Sequence, residues 1–126
     1  MNKSSCVLIA GAALLLQGCA TNPATSQLLG ERYFAANIDT YPLLIASVDG
    51  SSSTLRPQPV EPGTRRLVLR GPPGGAGFGE VQAFTLEVKP CTRYYLVAVK
   101  ANPLDTQFTP RVDYEMPLGS SCRAPG

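Results

Sequence analysis

The chain has 126 residues, 11 Lys and Arg against 9 Asp and Glu, and neither His nor Trp. A net charge of +2 is too near neutral to draw in nucleic acid, and without His the commonest general base and metal ligand is missing. Twelve Gly and twelve Pro, most of them between apolar runs, suit many short strands joined by turns.

The first element is an N-terminal signal. Lys3 precedes an apolar run from Cys6 to Leu16, 11 residues long. That is too short for a spanning helix, which needs about 20, and it fits the apolar part of a secretion signal, about 7–15 residues. Ala10-Gly11-Ala12 has the small-residue pattern of an ordinary cleavage site but lies inside the apolar run, too early for cleavage. The stretch Leu16-Gln17-Gly18-Cys19 resembles the lipobox of bacterial lipoproteins. The resemblance implies export, attachment of diacylglycerol to the Cys19 sulfur, cleavage after residue 18 and acylation of the new N-terminus. Residue 20 is Ala rather than Asp, which in such proteins favours the outer membrane over the inner one. The expected partner at this end is the membrane, reached through palmitate-type chains, with the domain facing the periplasm. Two or more chains anchor stably.

Loss of residues 1–18 leaves 108 residues, one small domain, with ten Lys and Arg against nine Asp and Glu. Residues 19–42 are expected to form the lipidated N-terminus and a flexible tether, and residues 43–126 the folded domain. Within the former, residues 31–41 fit either a helical turn or an edge strand. Of four Cys, Cys6 leaves with the signal and Cys19 carries lipid, so Cys91 and Cys122 remain for a disulfide in an oxidising compartment.

From Leu43 onward the pattern is β. Leu43–Val48 is a strand ended by Asp49-Gly50, a strong turn signal. Leu55–Val60, carrying Pro57 and Pro59, is at best an edge strand. After Glu61-Pro62-Gly63, Thr64–Arg70 places Leu67 and Leu69 on one face and Arg66, Val68 and Arg70 on the other. Residues 71–79 form a Gly-rich connection. Gln82, Phe84, Leu86 and Val88 then share a face opposite Thr85, Glu87 and Lys89. Pro90-Cys91 turns the chain, Tyr94–Val99 is apolar on both faces as a central strand is, and a last strand runs from Phe108 to Met116. The fold expected is all-β: a single small antiparallel β-sandwich of immunoglobulin-like or transthyretin-like kind.

Residues 46–100 also resemble PEGA-type domains, small β-sandwiches of bacterial surface proteins. Val48-Asp49-Gly50, the stretch from Val60 to Leu69, and the Phe84–Val88 strand leading to Tyr94-Tyr95-Leu96 carry the likeness. The resemblance implies a non-catalytic module.

Candidate contacts are few. Arg65, Arg66 and Arg70 form a basic cluster suited to lipid phosphate, anionic glycan or a protein partner, and equally to a solvated face guarded against edge pairing. Phe78 could act as an apolar anchor on the Gly-rich loop. That loop lacks the Gly-Lys-Ser/Thr of a phosphate loop. Tyr94 and Tyr95 point to opposite faces, one toward the core. Asp113 and Glu115, two residues apart, would share a strand face; no signal of burial or of a cleft makes them a catalytic pair. No enzyme, cofactor or metal is expected. The leading reading is an interaction module for an envelope protein partner. The alternatives are a peptidoglycan- or lipopolysaccharide-binding module and a periplasmic hydrolase inhibitor using loop 71–79.

Overall fold

The computed structural model describes residues 24–34, 38–72, 79–120 and 122. The signal, Cys19, the tether residues 20–23 and Phe78 lie outside the described residues. Eight strands follow in chain order: β1 (Ser26–Leu29), β2 (Thr40–Tyr41), β3 (Leu44–Val48), β4 (Gln58–Val60), β5 (Gly63–Arg70), β6 (Val81–Val88), β7 (Thr92–Val99) and β8 (Thr109–Pro117). Among the described residues there is no helix.

The strands form two sheets. One has β7 at its centre and β8 along the whole of one side, from Thr92↔Pro117 to Val99↔Thr109. On the other side of β7, β1 pairs with its first half and β2 with its second, and β4 extends the sheet beyond β1. The second sheet is β3-β5-β6, antiparallel throughout. The chain changes sheet at Pro42-Leu43, through residues 49–57 between β3 and β4, at Glu61-Pro62 and at Lys89-Pro90-Cys91, so the two sheets enclose one core.

Alternation explains which residues fill it. Leu67 and Leu69 on β5, Leu86 and Val88 on β6, and Tyr94, Leu96 and Ala98 on β7 face inward and are buried with Leu28, Ile45, Val60 and Phe108. Each fully buried Leu or Val stabilises the fold by about 1.5–3 kcal/mol. Val97, on the opposite face of β7, is also fully buried, as the two-sided apolar pattern of that strand requires. Tyr94 keeps its hydroxyl satisfied: it accepts from Lys89 N–H at 2.7 Å and donates to Glu87 C=O at 3.4 Å. Burial, first of all, pushes its phenol up from the ordinary tyrosine range.

Asp49-Gly50 makes the turn its sequence specifies. Both residues have positive φ, 49° and 85°, and Val48 and Ser51 exchange hydrogen bonds of 2.8 and 2.9 Å across it. This is the two-residue hairpin geometry in which Gly carries no steric cost.

Two expectations need correction. The tether does not run to residue 42: Ala24 is buried, β1 begins at Ser26, and Leu28 belongs to the core. The folded domain therefore starts near Ala24, because β1 finds hydrogen-bond partners on both β4 and β7. The β1–β7 pairing is parallel, so the first sheet is mixed rather than wholly antiparallel. Residues 40–41 resolve the ambiguity of that stretch as a short strand.

Candidate functional site: an aromatic surface on the β7–β8 pair

A bulge in β8 organises the main surface feature. Tyr95 lies opposite Tyr114, but Leu96 lies opposite Val112, so Asp113 is an extra residue on its strand. The bulge resets the alternation. Glu115, opposite inward-facing Tyr94, falls on the inner side and pairs with Lys89 at 2.7 Å. That partnership holds the Lys89 ammonium above its ordinary range. Asp113 lies with Arg111 on the other side, Arg111 Nη2 reaching Asp113 Oδ1 at 3.4 Å. The expectation that Asp113 and Glu115 share a face is thus corrected by the bulge.

The Asp113 carboxylate, 1% exposed, holds the segment that follows β1. Its Oδ2 accepts the backbone N–H of Tyr33 at 2.8 Å and of Phe34 at 3.1 Å. Held there, the Tyr33 ring stacks on Tyr114, centroids 4.1 Å apart and planes 16° apart, and meets Tyr95 edge-on at 5.0 Å. Phe34 stands nearly perpendicular, 5.0 Å from Tyr33 and 5.6 Å from Tyr114. Those separations put Phe34 beside the stack rather than on top of it. Tyr33 and Phe34 remain 42% and 44% exposed. The result is an aromatic surface on the β7–β8 strand pair, over the carboxylate that Arg111 also meets. Such surfaces bind apolar side chains or the C–H faces of sugars.

The arginines fall apart as a cluster. Arg65 faces the rim of the core and serves as a clamp: it bonds Asp49 Oδ2 at 3.0 Å, Glu61 C=O at 3.0 Å and Pro62 C=O at 2.7 Å. The Arg66 N–H, donating to Asp49 Oδ1 at 2.8 Å, together with the Arg65 guanidinium, holds the Asp49 carboxyl below its ordinary range. The Arg66 and Arg70 side chains share the exposed outer face of β5, Arg70 reaching Gly79 C=O at 3.2 Å. An open cleft of about 410 Å³ lies between β3 and β4, lined by Ser51, Ser52, Ser53, Gln58, Glu61 and Arg65 among others. Thr25 borders the same cleft. Asp105 sits in the exposed β7–β8 loop, outside the strand that carries Asp113 and Glu115.

Cys91 and Cys122 form the expected disulfide, Cα atoms 5.7 Å apart. Cys91 N–H also donates to Ala24 C=O at 3.1 Å, and Leu118 N–H to Cys91 C=O at 2.8 Å. One turn therefore ties both ends of the domain together. Among the described residues, no group of three His, Cys, Asp or Glu could hold a metal ion, and no helix is long and apolar enough to cross a membrane.

Sequence reasoning missed the aromatic surface. Tyr33 and Tyr114 are 81 positions apart in the chain and belong to no common periodic pattern. The adjacent pair Tyr33-Phe34 in a polar stretch was the only available signal.

Comparison with known protein families, with curated proteins and with solved structures finds no match to this chain. The fold and surface define a small, disulfide-closed β-sandwich that presents a fixed aromatic face.

Proposed function

We propose that this chain is a non-catalytic, lipid-anchored interaction module of the bacterial envelope, secured at Cys19 in the outer membrane with its domain in the periplasm. The lipobox-like Leu16-Gln17-Gly18-Cys19 supports the anchor. The observation that carries the binding role is the half-exposed Tyr33-Phe34 pair, held on β7–β8 by a buried carboxylate. Aromatic anchors on a rigid scaffold are the side chains that dominate protein interfaces. The immunoglobulin-like kind of sandwich is the preferred subtype, because Tyr94 bonds back to the corner where the chain changes sheet, as a tyrosine corner does.

The test is a photo-crosslinking residue placed at Phe34, compared with one at Arg66 on the opposite sheet, in cells. We expect one envelope protein captured from position 34 and not from 66, and lost in Cys19→Ala. Equal capture from both positions would remove the aromatic face from the proposal.

The second reading is a peptidoglycan- or lipopolysaccharide-binding module. The exposed Arg111 guanidinium, 3.4 Å from the Asp113 carboxylate that holds Tyr33 and Phe34, favours it by adding a cation suited to anionic glycan. Co-sedimentation with purified sacculi, abolished by Phe34→Ala, is its expected outcome; wild-type protein left in the supernatant counts against it.

A further inference from the structure

The free edges of the two sheets are not equally protected. β8 carries Pro110, Pro117 and the bulge at Asp113. β2 and β4 are two and three residues long, and β4 contains Pro59. β3 is broken by a register shift at Ala46. These are the devices that keep edges from pairing. β6 has none of them: it runs eight residues without Pro, Lys, Arg or a bulge.

The unpaired backbone groups of β6 can be assigned. Gly71 N–H donates to Glu80 C=O at 3.0 Å, and Asp49 N–H donates to Arg66 C=O at 2.7 Å. In the β5–β6 register, Gln82, Phe84, Leu86 and Val88 therefore turn their amides toward β5. Val81, Ala83, Thr85 and Glu87 turn theirs toward the open side. Glu87 C=O is taken by the Tyr94 hydroxyl at 3.4 Å. The N–H and C=O groups of Val81, Ala83 and Thr85 remain, with the N–H of Glu87 at the strand's end.

We propose that β6 pairs antiparallel with β6 of a second copy of this chain, on a two-fold axis through Ala83. This register puts Val81 opposite the other copy's Thr85, and Ala83 opposite Ala83. It uses the open groups of Val81, Ala83 and Thr85 and none that is already taken, with the smallest side chain on the axis. It also sets Glu87 opposite the other copy's Gly79, whose carbonyl holds the Arg70 guanidinium. Glu87 and Arg70 lie on the same outer face: Thr64, two positions before Arg66 and six before Arg70 on β5, donates its hydroxyl to Glu87 Oε1 at 2.6 Å. The symmetry therefore makes two reciprocal Glu87–Arg70 pairs. The two three-stranded sheets become one of six. The pairing needs no lipid and no other protein.

The test uses the full-length chain in detergent micelles. Ala83→Cys places two thiols about 5.5 Å apart between Cα atoms, a separation that a disulfide spans. We expect a covalent dimer from Ala83→Cys under mild oxidation. In sedimentation equilibrium, Arg70→Glu and Glu87→Arg should each weaken the dimer on the order of tenfold. The double variant Arg70→Glu/Glu87→Arg should restore it, which a folding defect would not do. A wild-type chain that stays monomeric, or a crosslink yield that Arg70→Glu leaves unchanged, overturns the proposal.

Discussion

Asp113 shows how much one carboxylate can organise. Its side chain is buried, and two consecutive backbone N–H groups converge on one of its oxygens. Hydrogen bonds to a charged acceptor are worth more than neutral ones, and an orphaned polar group costs about 1–3 kcal/mol. Asp113→Ala should therefore destabilise the domain by about 1–3 kcal/mol in urea titration and release Tyr33 from Tyr114. Amide exchange at Tyr33 and Phe34 should rise well above that of β7, while the β5–β6 amides keep their protection. Asp113→Asn, which retains an acceptor oxygen, should fall between. Unchanged exchange at residues 33 and 34 would mean that ring stacking alone holds the segment. None of this was visible in the sequence, where Asp113 and Glu115 looked like neighbours on one face. A bulge leaves no mark in an alternating pattern; the pattern simply changes phase between Val112 and Tyr114.

At the scale of elements, legibility followed burial by apolar residues. β5 and β6 were plain because Leu67, Leu69, Phe84, Leu86 and Val88 alternate with Arg66, Arg70, Thr85 and Glu87, and β7 because both of its faces are apolar. The Asp49-Gly50 turn was plain because only a few residues accept two positive φ values in succession. β1 was hidden for the converse reason. Its inward positions are Ser26 and Leu28, so a polar residue occupies a core site. Its partner is also remote: Gln27 pairs with Arg93 in β7. Ser26 is fully buried because it is fully used. Its hydroxyl donates to Lys89 C=O and accepts Thr92 N–H at 3.0 Å, stapling β1 to the corner between β6 and β7. Ser26→Ala should cost about 1–3 kcal/mol, since it strips a partner from two backbone groups at once. Ser26→Thr, which keeps the hydroxyl, tests whether the loss is the hydrogen bonds or the fit. A denaturation midpoint that Ser26→Ala leaves in place would show that water replaces the hydroxyl.

At the scale of the whole molecule, the two ends of the sandwich differ. Thr25, the disulfide and Leu118 gather at one end with Gly63 and Val88, and Arg70, Val81 and the β7–β8 loop lie at the other, about 26 Å away along eight residues of strand. Cys19 and Ala24 are five residues apart, so a lipid at Cys19 leaves the first end no more than about 18 Å of chain from the membrane. With the proposed lipid at Cys19, that end of a lone copy is the membrane-proximal one. The two-fold pairing of β6 changes the geometry. It sets the base of each copy beside the loop end of the other, and both anchors reach one membrane only if the strands lie along its surface. Fluorophores at Ser120, beside the disulfide, and at Asn102, read in vesicles against a headgroup quencher, separate the two arrangements. The lipidated wild type should show nearly equal quenching at both positions. Arg70→Glu, with the dimer weakened, should keep strong quenching at Ser120 and lose most of it at Asn102. Stronger quenching at Ser120 in the wild type itself would mean single copies standing on end, and the β6 pairing would then not form on the membrane.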